Sequence, residues 1–374
     1  MALLDTIDPG GLEEFSVVFT DRSLNHMSGA FGSVMRDLSA GLKDVYKADG
    51  LALIPGGGTY AMEAVARQFG QDASAFVGRN GWFSYRWSQI FESGAFTASC
   101  EVMKARRVGN GAQAPFRPAP IEEVTAKIRE AKPDIVFAPH VETSAGVILP
   151  DEYVTALADA AHEVGALMVL DCIASGCIWV DMAATGVDVL ISAPQKGWSS
   201  TPSTGVVMLS ERAIARVKST QSNSFAIDLG KWLSIMETYE DGKHAYHATM
   251  PTDGLVHFRD AVAETRAFGF ENAKVAQWKL GAAVREMLAQ KGIQSVAAKG
   301  FEAPGVVVSY TSEADVQNGA RFAAQGMQIA AGVPLQCDEP ADFQTFRIGL
   351  FGLDKLRDVE ATLARLRPVV ETVL

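Results

Sequence analysis

The stretch that decides the fold is ALMVLDCIASGCIWVDMAATGVDVLISAPQKGW, residues 166–198. It contains two short apolar runs, residues 166–170 and 187–192, each bounded by small and polar residues. Runs of this length are typical of strands buried on both faces of a parallel sheet. The first run ends at Asp171, and the second leads through a small-residue turn to Lys196. Because parallel sheets bind ligands at the carboxyl ends of their strands, we expect both side chains at one sheet edge.

Outward from this stretch, the same alternation continues from about residue 30 to about residue 210. Short apolar runs predict further strands at residues 51–54, 74–78 and 134–138. Helix-period segments such as residues 121–131 and 151–164 lie between the strands. This order predicts an α/β fold with a mostly parallel central sheet and helices on both faces.

The pattern changes after Val206, where the regular alternation stops. A polar span at residues 219–253 leads into a long helical region at residues 256–290. The sequence then predicts strands at residues 305–310 and 346–349 and a closing helix at residues 354–373. We therefore predict a large domain over residues 1–255. Residues 256–374 are predicted to form a connecting helix and a smaller α+β domain.

The charge of the chain indicates which kinds of molecule it can bind. The chain has 374 residues and a formal net charge of −11, with no run of Lys or Arg. Nucleic acids and anionic membranes both require a basic face, so we expect small-molecule partners instead. Residues 1–15 lack the basic region and apolar run of a signal peptide, and the most apolar stretch is too short to span a bilayer. A cytoplasmic protein is the resulting expectation.

The four cysteines show neither a CxxC pair nor a Cys/His spacing suited to zinc. They are Cys100, Cys172, Cys177 and Cys337. We predict reduced thiols, mostly buried, and no metal site.

Lys196 and Asp171 each have an ordinary interpretation and a functional one. A lysine is usually exposed at the surface, and an aspartate at a strand end is often a turn residue. A lysine desolvated by Trp198 and Pro194, however, would have a lowered pKa and attack an aldehyde as an amine. A buried carboxylate needs a cationic partner, and the pyridinium nitrogen of pyridoxal 5′-phosphate (PLP) is one. Together the two residues point to that cofactor.

The segment IPGGGTYAM, residues 54–62, combines three glycines with a threonine at the predicted start of a helix. Backbone N–H groups and the helix dipole favour a phosphate there. The spacing from Gly56 to Ala61 also fits the dinucleotide fingerprint G-x-G-x-x-A, so an NADP-dependent oxidoreductase is an alternative. The next strand ends in Arg79, which suits a 2′-phosphate, rather than in the acidic residue that binds a ribose. A dinucleotide leaves the lysine and the aspartate unexplained.

Three further segments offer groups for a cofactor or a substrate. NGWFSYR, residues 80–86, places aromatics at a strand-to-helix corner, where one stacks on a flat ring or packs in the core. HVETSAG, residues 140–146, offers hydroxyl and carboxyl groups as partners for a phenolic oxygen or as a helix cap. FRIGLFG places Arg347 on an apolar strand, where a guanidinium binds either a substrate carboxylate or a structural Asp or Glu.

In this order, the segments resemble the class V, fold-type I PLP aminotransferases, particularly the alanine–glyoxylate and serine–glyoxylate branch. The resemblance runs through seven short motifs from roughly residue 45 to residue 352. It implies PLP held as a Schiff base on Lys196 and a homodimer with shared active sites. The implied reaction is a ping-pong transfer of an amino group from a small amino acid to a 2-oxo acid, such as glyoxylate or pyruvate. Cysteine desulfurases, a sister group, usually have His before the lysine, so Gln195 favours an aminotransferase.

The resemblance also implies a role for each matching residue. Lys196 and Asp171 are catalytic, and Arg347 binds the substrate carboxylate. Tyr246 and Thr249, in the segment YHATMP, reach the phosphate held by the other subunit. The remaining cofactor contacts that it implies, to the phosphate, the ring and the phenolic oxygen, are Gly57, Gly58, Thr59, Phe83, Thr143, Ile173 and Gln195.

The chain departs from these relatives at residues 19–31, FTDRSLNHMSGAF. The relatives carry a PGP-like loop and a His-Arg-Ser segment there, and part of the substrate pocket is built from it. The side-chain specificity of the relatives is therefore not transferred to this chain. Transamination of 2-aminoethylphosphonate or phosphoserine, and lyase, desulfurase or epimerase chemistry, remain alternatives because the cofactor residues do not dictate which bond breaks. A non-catalytic protein on the same fold is disfavoured by the intact lysine.

Overall fold

The computed structural model describes residues 7, 8 and 10–374. The strands in this part of the chain are β1 (Gly50–Pro55), β2 (Ser74–Arg79), β3 (Ser99–Lys104), β4 (Arg106–Arg107), β5 (Phe116–Arg117), β6 (Ile135–Pro139), β7 (Val141–Glu142), β8 (Val147–Ile148), β9 (Leu167–Asp171), β10 (Val189–Ser192), β11 (Thr204–Leu209), β12 (Val306–Tyr310), β13 (Ala330–Ala331) and β14 (Thr345–Gly349). The predicted absence of a signal peptide rests largely on residues outside the described part.

The helices in the same part of the chain are α1 (Gly29–Tyr46), α2 (Gly58–Phe69), α3 (Trp82–Gly94), α4 (Ile121–Ala131), α5 (Asp151–Glu163), α6 (Met182–Thr185), α7 (Glu211–Ser219), α8 (Leu229–Glu240), α9 (Thr252–Phe268), α10 (Phe270–Ala289), α11 (Ala314–Gln317), α12 (Ala320–Ala323), α13 (Leu353–Leu356) and α14 (Val359–Val373). Helix α4 illustrates why they form: Val124 and Ile128 are buried on one face, and acidic residues occupy the first turn.

The central sheet has seven strands in the order β1-β11-β10-β9-β6-β2-β3. Strand β11 runs antiparallel to both of its neighbours, and the other adjacent pairs are parallel. The residues of β6, β9 and β10 are buried throughout, which requires helices to cover both faces of the sheet. The predicted α/β fold with a mostly parallel sheet is confirmed. Strands β2, β6, β9 and β10 all end at the same edge.

The buried apolar residues of the described chain form three clusters, and the two with the most members lie against the central sheet and the small antiparallel sheet. The larger surrounds the central sheet and includes Phe31, Trp232 and Phe258 from the covering helices. The second lies against the small antiparallel sheet β12-β14-β13 and includes Leu280 of α10 and Leu363 of α14. The predicted strands at 305–310 and 346–349 correspond to β12 and β14.

Among the elements that the sequence patterns missed are strands β3 and β11 of the central sheet and helix α8. Strand β3 is partly exposed along its length, so its apolar signal is weak. Strand β11 is fully buried but pairs antiparallel, and it lies where the sequence pattern predicts that the regular alternation stops. Helix α8 lies inside the span predicted as polar and irregular, with Trp232 and Met236 among its buried residues.

The predicted helical region at 256–290 is two helices, α9 and α10. They are separated by Gly269, whose φ of 97° is a conformation that L side chains rarely adopt. The closing helix begins at Val359 rather than at residue 354, because the Asp358 side chain accepts a hydrogen bond from the Ala361 N–H and caps it. The predicted domain boundary after residue 255 falls inside α9, and the division into two domains stays a prediction.

The structure bears on membrane spans, metal sites and cysteines. Among the described residues, no helix is both long enough and apolar enough to cross a membrane. No group of three or more His, Cys, Asp or Glu side chains in that part of the chain is arranged to hold a metal ion. All four cysteines are free, and Cys100 alone among them is exposed.

Candidate active site

A cavity of about 200 Å³ opens at the edge where β2, β6, β9 and β10 end. Its wall is formed by the segments that follow β6, β9 and β10 and by the N-terminal turns of α2 and α3. Eight of the residues singled out from the sequence line this one cavity: Gly58, Thr59, Phe83, Thr143, Asp171, Ile173, Gln195 and Lys196. The topology therefore gathers groups that lie as much as 138 positions apart in the sequence, from Gly58 to Lys196.

Lys196 lies on the turn that follows β10. Two backbone hydrogen bonds fix this turn, from the Ser199 N–H to the Lys196 carbonyl at 3.1 Å and from the Ser200 N–H to the Pro194 carbonyl at 3.0 Å. The side chain is half-buried. Burial lowers the pKa of its ammonium, Asp171 opposes that effect, and Arg347 adds to it. A lowered pKa favours the neutral amine, the form that is nucleophilic and basic.

The aromatic rings beside Lys196 differ from the expected ones. Lys196 Nζ is 5.4 Å from the ring centroid of Phe351 and 5.9 Å from that of Phe83. Trp198, which the sequence suggested as the desolvating neighbour, is buried in the core, with its ring centroid 4.6 Å from that of Trp179. The difference arises because residue 198 has already turned back from the sheet edge into the core.

Asp171 is the last residue of β9 and is 6% exposed. Backbone hydrogen bonds hold the strand end on both sides. The His140 N–H donates to the Asp171 carbonyl, and the Cys172 N–H donates to the Ile191 carbonyl. The carboxylate accepts a hydrogen bond from the Ile173 N–H at 2.9 Å. Burial raises the pKa of Asp171 to about 6, against the lowering effect of that N–H. Within the described part of the chain, the buried carboxylate has no ion-pair partner, so it is suited to a cationic ligand.

The N-terminus of α2 faces the cavity. Gly57 is the N-cap residue and provides no side-chain cap, so the first N–H groups of the helix are available to an anion. Gly58 fits only without a side chain, because a Cβ there would lie 2.5 Å from Ile173 Cδ1. Thr59 Oγ1 accepts a hydrogen bond from Arg86 Nη1 at 2.8 Å.

Phe83 lies in the first turn of α3, and three cationic groups surround its ring. The centroid is 5.2 Å from Arg86 Cζ, 5.6 Å from Arg347 Cζ and 5.9 Å from Lys196 Nζ. Its neighbour Trp82 does not line the cavity and contacts Tyr85 instead. The aromatic at this corner that is available to a flat ring is therefore Phe83.

Glu142 fixes the corner on which Phe83 lies. Its fully buried carboxylate accepts hydrogen bonds from the Phe83 N–H at 3.2 Å, the Ser84 N–H at 2.9 Å and the Ser144 N–H at 3.1 Å. The hydroxyls of Ser84 and Ser144 donate to it as well, both at 2.7 Å. Glu142 thus caps α3. The hydrogen-bonding groups of Glu142 and Ser144 are already engaged within the protein. Of the three groups offered by this segment, Thr143 is the one that lines the cavity.

Arg347 reaches the site from the small antiparallel sheet. It is half-buried on β14, and its Nε donates to the Ala331 carbonyl at 2.8 Å. Burial lowers the pKa of its guanidinium, and Glu142 opposes this effect. No described Asp or Glu forms an ion pair with it, so the structural ion pair considered as an alternative is not found within this part of the chain.

Tyr246 and Thr249 do not join the cavity of their own chain. Their side chains contact each other, with 3.1 Å between Tyr246 Oη and Thr249 Oγ1. The Tyr246 ring is about half exposed and lies against His26, 5.3 Å between ring centroids. Both residues are on an irregular segment between α8 and α9. Their assignment to a shared site stays a prediction.

The sequence did not predict the roles of Arg86 and Phe351 at the site. Arg86 lines the cavity, and Phe351 lies over Lys196. Arg86 belongs to the segment NGWFSYR and Phe351 to the segment FRIGLFG, where the sequence pointed to Phe83 and Arg347 instead. Phe83 and Arg86 are three positions apart, which places both side chains on one face of α3. This spacing is the sequence signal that could have identified Arg86.

The geometry bears on two of the alternative chemistries. Strand β1, which precedes the glycine loop, is an edge strand whose one partner in the sheet is the antiparallel β11, whereas the dinucleotide fingerprint follows a central parallel strand. Cys337 is the cysteine nearest to Arg347 in the sequence, but its thiol is buried and burial raises its pKa to about 12. Such a thiol is a poor nucleophile. Neither arrangement favours an oxidoreductase or a desulfurase.

Comparison with known proteins gives the family. The family model described as Aminotransferase class-V matches residues 19–350. The alanine–glyoxylate aminotransferase of Felis catus is 29% identical over 260 residues, which cover 67% of this chain and 58% of that enzyme. A Synechococcus protein named as the small subunit of a soluble hydrogenase is 26% identical over 350 residues, 93% of this chain and 87% of that protein.

Among solved structures, the alanine–glyoxylate aminotransferase of Nostoc superimposes with a TM-score of 0.79 at 21% identity, covering 94% of this chain and 89% of that one. At this identity the likeness shows the fold, which is the fold-type I architecture of the aminotransferases. Because the family model spans most of the chain, the protein belongs to the class-V family of PLP-dependent aminotransferases.

Proposed function

We propose that this enzyme transfers the amino group of a small amino acid to a 2-oxo acid, with glyoxylate or pyruvate as the acceptor. The observation that carries the proposal is the single cavity that combines Lys196, the buried Asp171 carboxylate and the open N-terminus of α2. An amine, an anion and an anion-binding helix end are the three groups that a phosphorylated pyridine aldehyde requires.

The residues fit PLP as a group. Asp171 would hold the pyridinium nitrogen, and the N–H groups of the first turn of α2 would bind the phosphate. Phe83 and Ile173 would enclose the ring, and the Thr143 hydroxyl would bind the phenolic oxygen. Gln195 lies on the cavity wall beside Lys196. When bound, PLP supplies an aldehyde that condenses with amines and a protonated ring that accepts electrons.

The chain's own groups then divide the chemical work. Lys196 Nζ, whose pKa is lowered by burial, removes the proton from the α-carbon of the amino donor and returns it elsewhere in the same half-reaction. Asp171, as an anion, keeps the ring nitrogen protonated. The half-buried rings of Phe83 and Phe351 limit water around Lys196, which strengthens these charge interactions.

A screen of half-reactions tests the proposal directly. The enzyme loaded with PLP is incubated with one amino acid at a time, and then with glyoxylate, pyruvate or 2-oxoglutarate. A ping-pong transamination predicts one equivalent of 2-oxo acid per site from the donor alone, followed by one equivalent of new amino acid from the acceptor. Release of ammonia, sulfide or a shortened carbon chain in place of these products would indicate lyase or desulfurase chemistry instead.

The same screen covers the phosphorylated alternatives. Including 2-aminoethylphosphonate and phosphoserine among the donors distinguishes those transaminations from the transfer proposed here. The divergent segment at residues 19–31 is why the amino donor is identified by experiment and not by similarity.

Arg347→Lys is expected to raise the KM for both the amino acid and the 2-oxo acid, by about tenfold each. An ammonium cannot reproduce the bidentate fork that grips a carboxylate, and the loss of one such contact is on the order of 1.4 kcal/mol. Steady-state kinetics with each substrate varied in turn measure the effect, and PLP absorbance serves as the control for an intact site. A change in the KM of one substrate alone would assign Arg347 to a side chain instead of the shared carboxylate.

We also propose that the functional unit is a homodimer in which Tyr246 and Thr249 complete the partner's phosphate site. The exposed aromatic side chains of the described residues include Tyr60 beside the α2 N-terminus, Phe225 and Tyr246, and these are available to a partner chain. Large exposed apolar groups near a site are typical of a surface covered by another chain. A cytoplasmic enzyme acting on small molecules remains part of the proposal.

Mixing two inactive variants tests the shared site. Lys196→Ala subunits are combined, after reversible dissociation, with subunits carrying Tyr246→Phe and Thr249→Ala. Two-fold symmetry places both defects in one site of a heterodimer and leaves the other site intact, so about one quarter of wild-type activity is expected from an equal mixture. If heterodimers are demonstrated and no activity returns, both residues act within their own subunit or outside the site.

A further inference from the structure

Arg86 is a second arginine at the cavity, besides Arg347. It is half-buried on α3 and lines the cavity. Its Nη1 donates to Thr59 Oγ1 at 2.8 Å, and its Cζ lies 5.2 Å from the Phe83 centroid. In the described part of the chain it forms no ion pair with Asp or Glu. A partly desolvated guanidinium without a carboxylate is suited to an anionic ligand.

The position of Arg86 beside the N-terminus of α2 determines which anion it can bind. Thr59, to which it is bound, is the second residue of α2, so the guanidinium is held beside the free N–H groups of that helix. Arg347 approaches the same Phe83 ring, at 5.6 Å, from β14 of the other sheet. Two arginines thus reach the site from two separate elements, and one of the two is fixed at the anion-binding end of a helix.

We propose that Arg86 binds the phosphate of the cofactor together with the first turn of α2, and that the substrate carboxylate is left to Arg347. This inference rests on the proposed function, since it requires PLP in the cavity. The bond to Thr59 takes one of the five N–H groups of Arg86, and the others remain for phosphate oxygens. Thr59 accordingly acts as a positioning residue for Arg86, in addition to its backbone contribution.

The test compares two aldehydes that differ only in the phosphate. Apoenzyme is titrated with PLP and with pyridoxal, followed by absorbance, for wild type, Arg86→Gln, Arg86→Lys and Arg347→Gln. For Arg86→Gln we expect PLP affinity to fall by about tenfold or more, the scale of one charge-assisted contact, and pyridoxal affinity to stay within about twofold. Arg86→Lys should lie between wild type and Arg86→Gln, because an ammonium retains the charge and loses the fork.

Arg347→Gln is the matched control, since it removes the other guanidinium beside Phe83. It is expected to retain the wild-type preference for PLP over pyridoxal. Inorganic phosphate should compete with PLP for the wild-type apoenzyme more strongly than for Arg86→Gln. The thermal midpoint of each apoenzyme, measured beside the titrations, detects a variant that fails to fold.

Two results would overturn the inference. Equal weakening of PLP and pyridoxal in Arg86→Gln would mean that Arg86 supports the cavity without contacting the phosphate. Unchanged PLP affinity with a raised KM for the amino acid would assign it to the substrate. Failure of the proposed function looks different. If the enzyme ran another PLP reaction, the half-reaction products would change while both titrations stayed as predicted; if the cavity did not take PLP, the wild-type apoenzyme would bind neither aldehyde.

Discussion

Lys196→Ala is expected to lower the rate of amino transfer by about 10⁴-fold or more, because one side chain serves as both the amine partner of the cofactor and the proton carrier. Removal of this side chain leaves the other elements that form the cavity in place. The turn at residues 194–200 is held by backbone hydrogen bonds, and the phosphate-binding end of α2 lies on another element. The variant should therefore fold and still bind PLP noncovalently. Single-turnover assays with a saturating amino donor measure the loss.

A matched control is available for this variant. Lys218 lies on α7 and is an exposed lysine whose ion pair with Glu237 is on the surface, so Lys218→Ala should leave the rate unchanged. Near wild-type turnover by Lys196→Ala would exclude the proposed mechanism as a whole. Partial recovery of Lys196→Ala by added small primary amines would support the assignment, because an amine in solution can replace the missing side chain.

Asp171→Asn is expected to change activity and stability in opposite directions. With PLP bound, turnover should fall on the order of 10²–10³-fold, because a neutral amide cannot hold the ring nitrogen protonated. Without PLP, the variant should be more stable than the wild type at pH 8. The reason is that burial raises the pKa of the Asp171 carboxyl from its ordinary 3.8 to about 6.

The pH dependence of this stability difference follows from proton linkage. Between pH 4 and 6 the folded protein still holds a proton that the unfolded chain has released, so the stability of wild-type apoenzyme falls as pH rises through this window. Above about pH 6 the folded protein carries a buried charge, which costs roughly 1–3 kcal/mol. Asparagine carries no charge, and its oxygen retains the bond from the Ile173 N–H.

Urea unfolding of both apoenzymes at pH 4 and at pH 8 measures the effect. Asp171→Asn should be the more stable protein at pH 8, and the difference should nearly vanish at pH 4. Saturation with PLP should reverse the order, because the pyridinium partner stabilises the wild-type carboxylate alone. If apo Asp171→Asn were equally stable or less stable at pH 8, the carboxylate would have a cationic partner within the protein.

Much of the site was predictable from local sequence because the strands are buried and parallel. The apolar runs before Asp171 and Lys196 mark strands β9 and β10, and parallel strands bring their carboxyl ends to a common edge. This rule alone accounts for the meeting of the aspartate and the lysine. It does not depend on contacts between distant side chains.

The parts that escaped prediction are those set by long-range contacts. The sequence left open whether HVETSAG supplies cofactor partners or a helix cap, and it could not show that Glu142 caps α3, 58 positions away in sequence at Ser84. Arg86 meets Thr59 from another helix, and Phe351 meets Lys196 from the far end of the chain. No period in the sequence encodes such pairs. Strand β11 was missed for a related reason, because an antiparallel strand interrupts the β-α alternation on which the prediction relied.

The central claim is that Lys196 Nζ holds the cofactor covalently. The most direct measurement is reduction of the PLP-loaded protein with borohydride, followed by proteolysis and mass spectrometry of the labelled peptide. The account predicts a visible absorbance band that borohydride abolishes, and a phosphopyridoxyl group on Lys196 in about one copy per chain. Absence of the band, or a label on any other lysine, would contradict it.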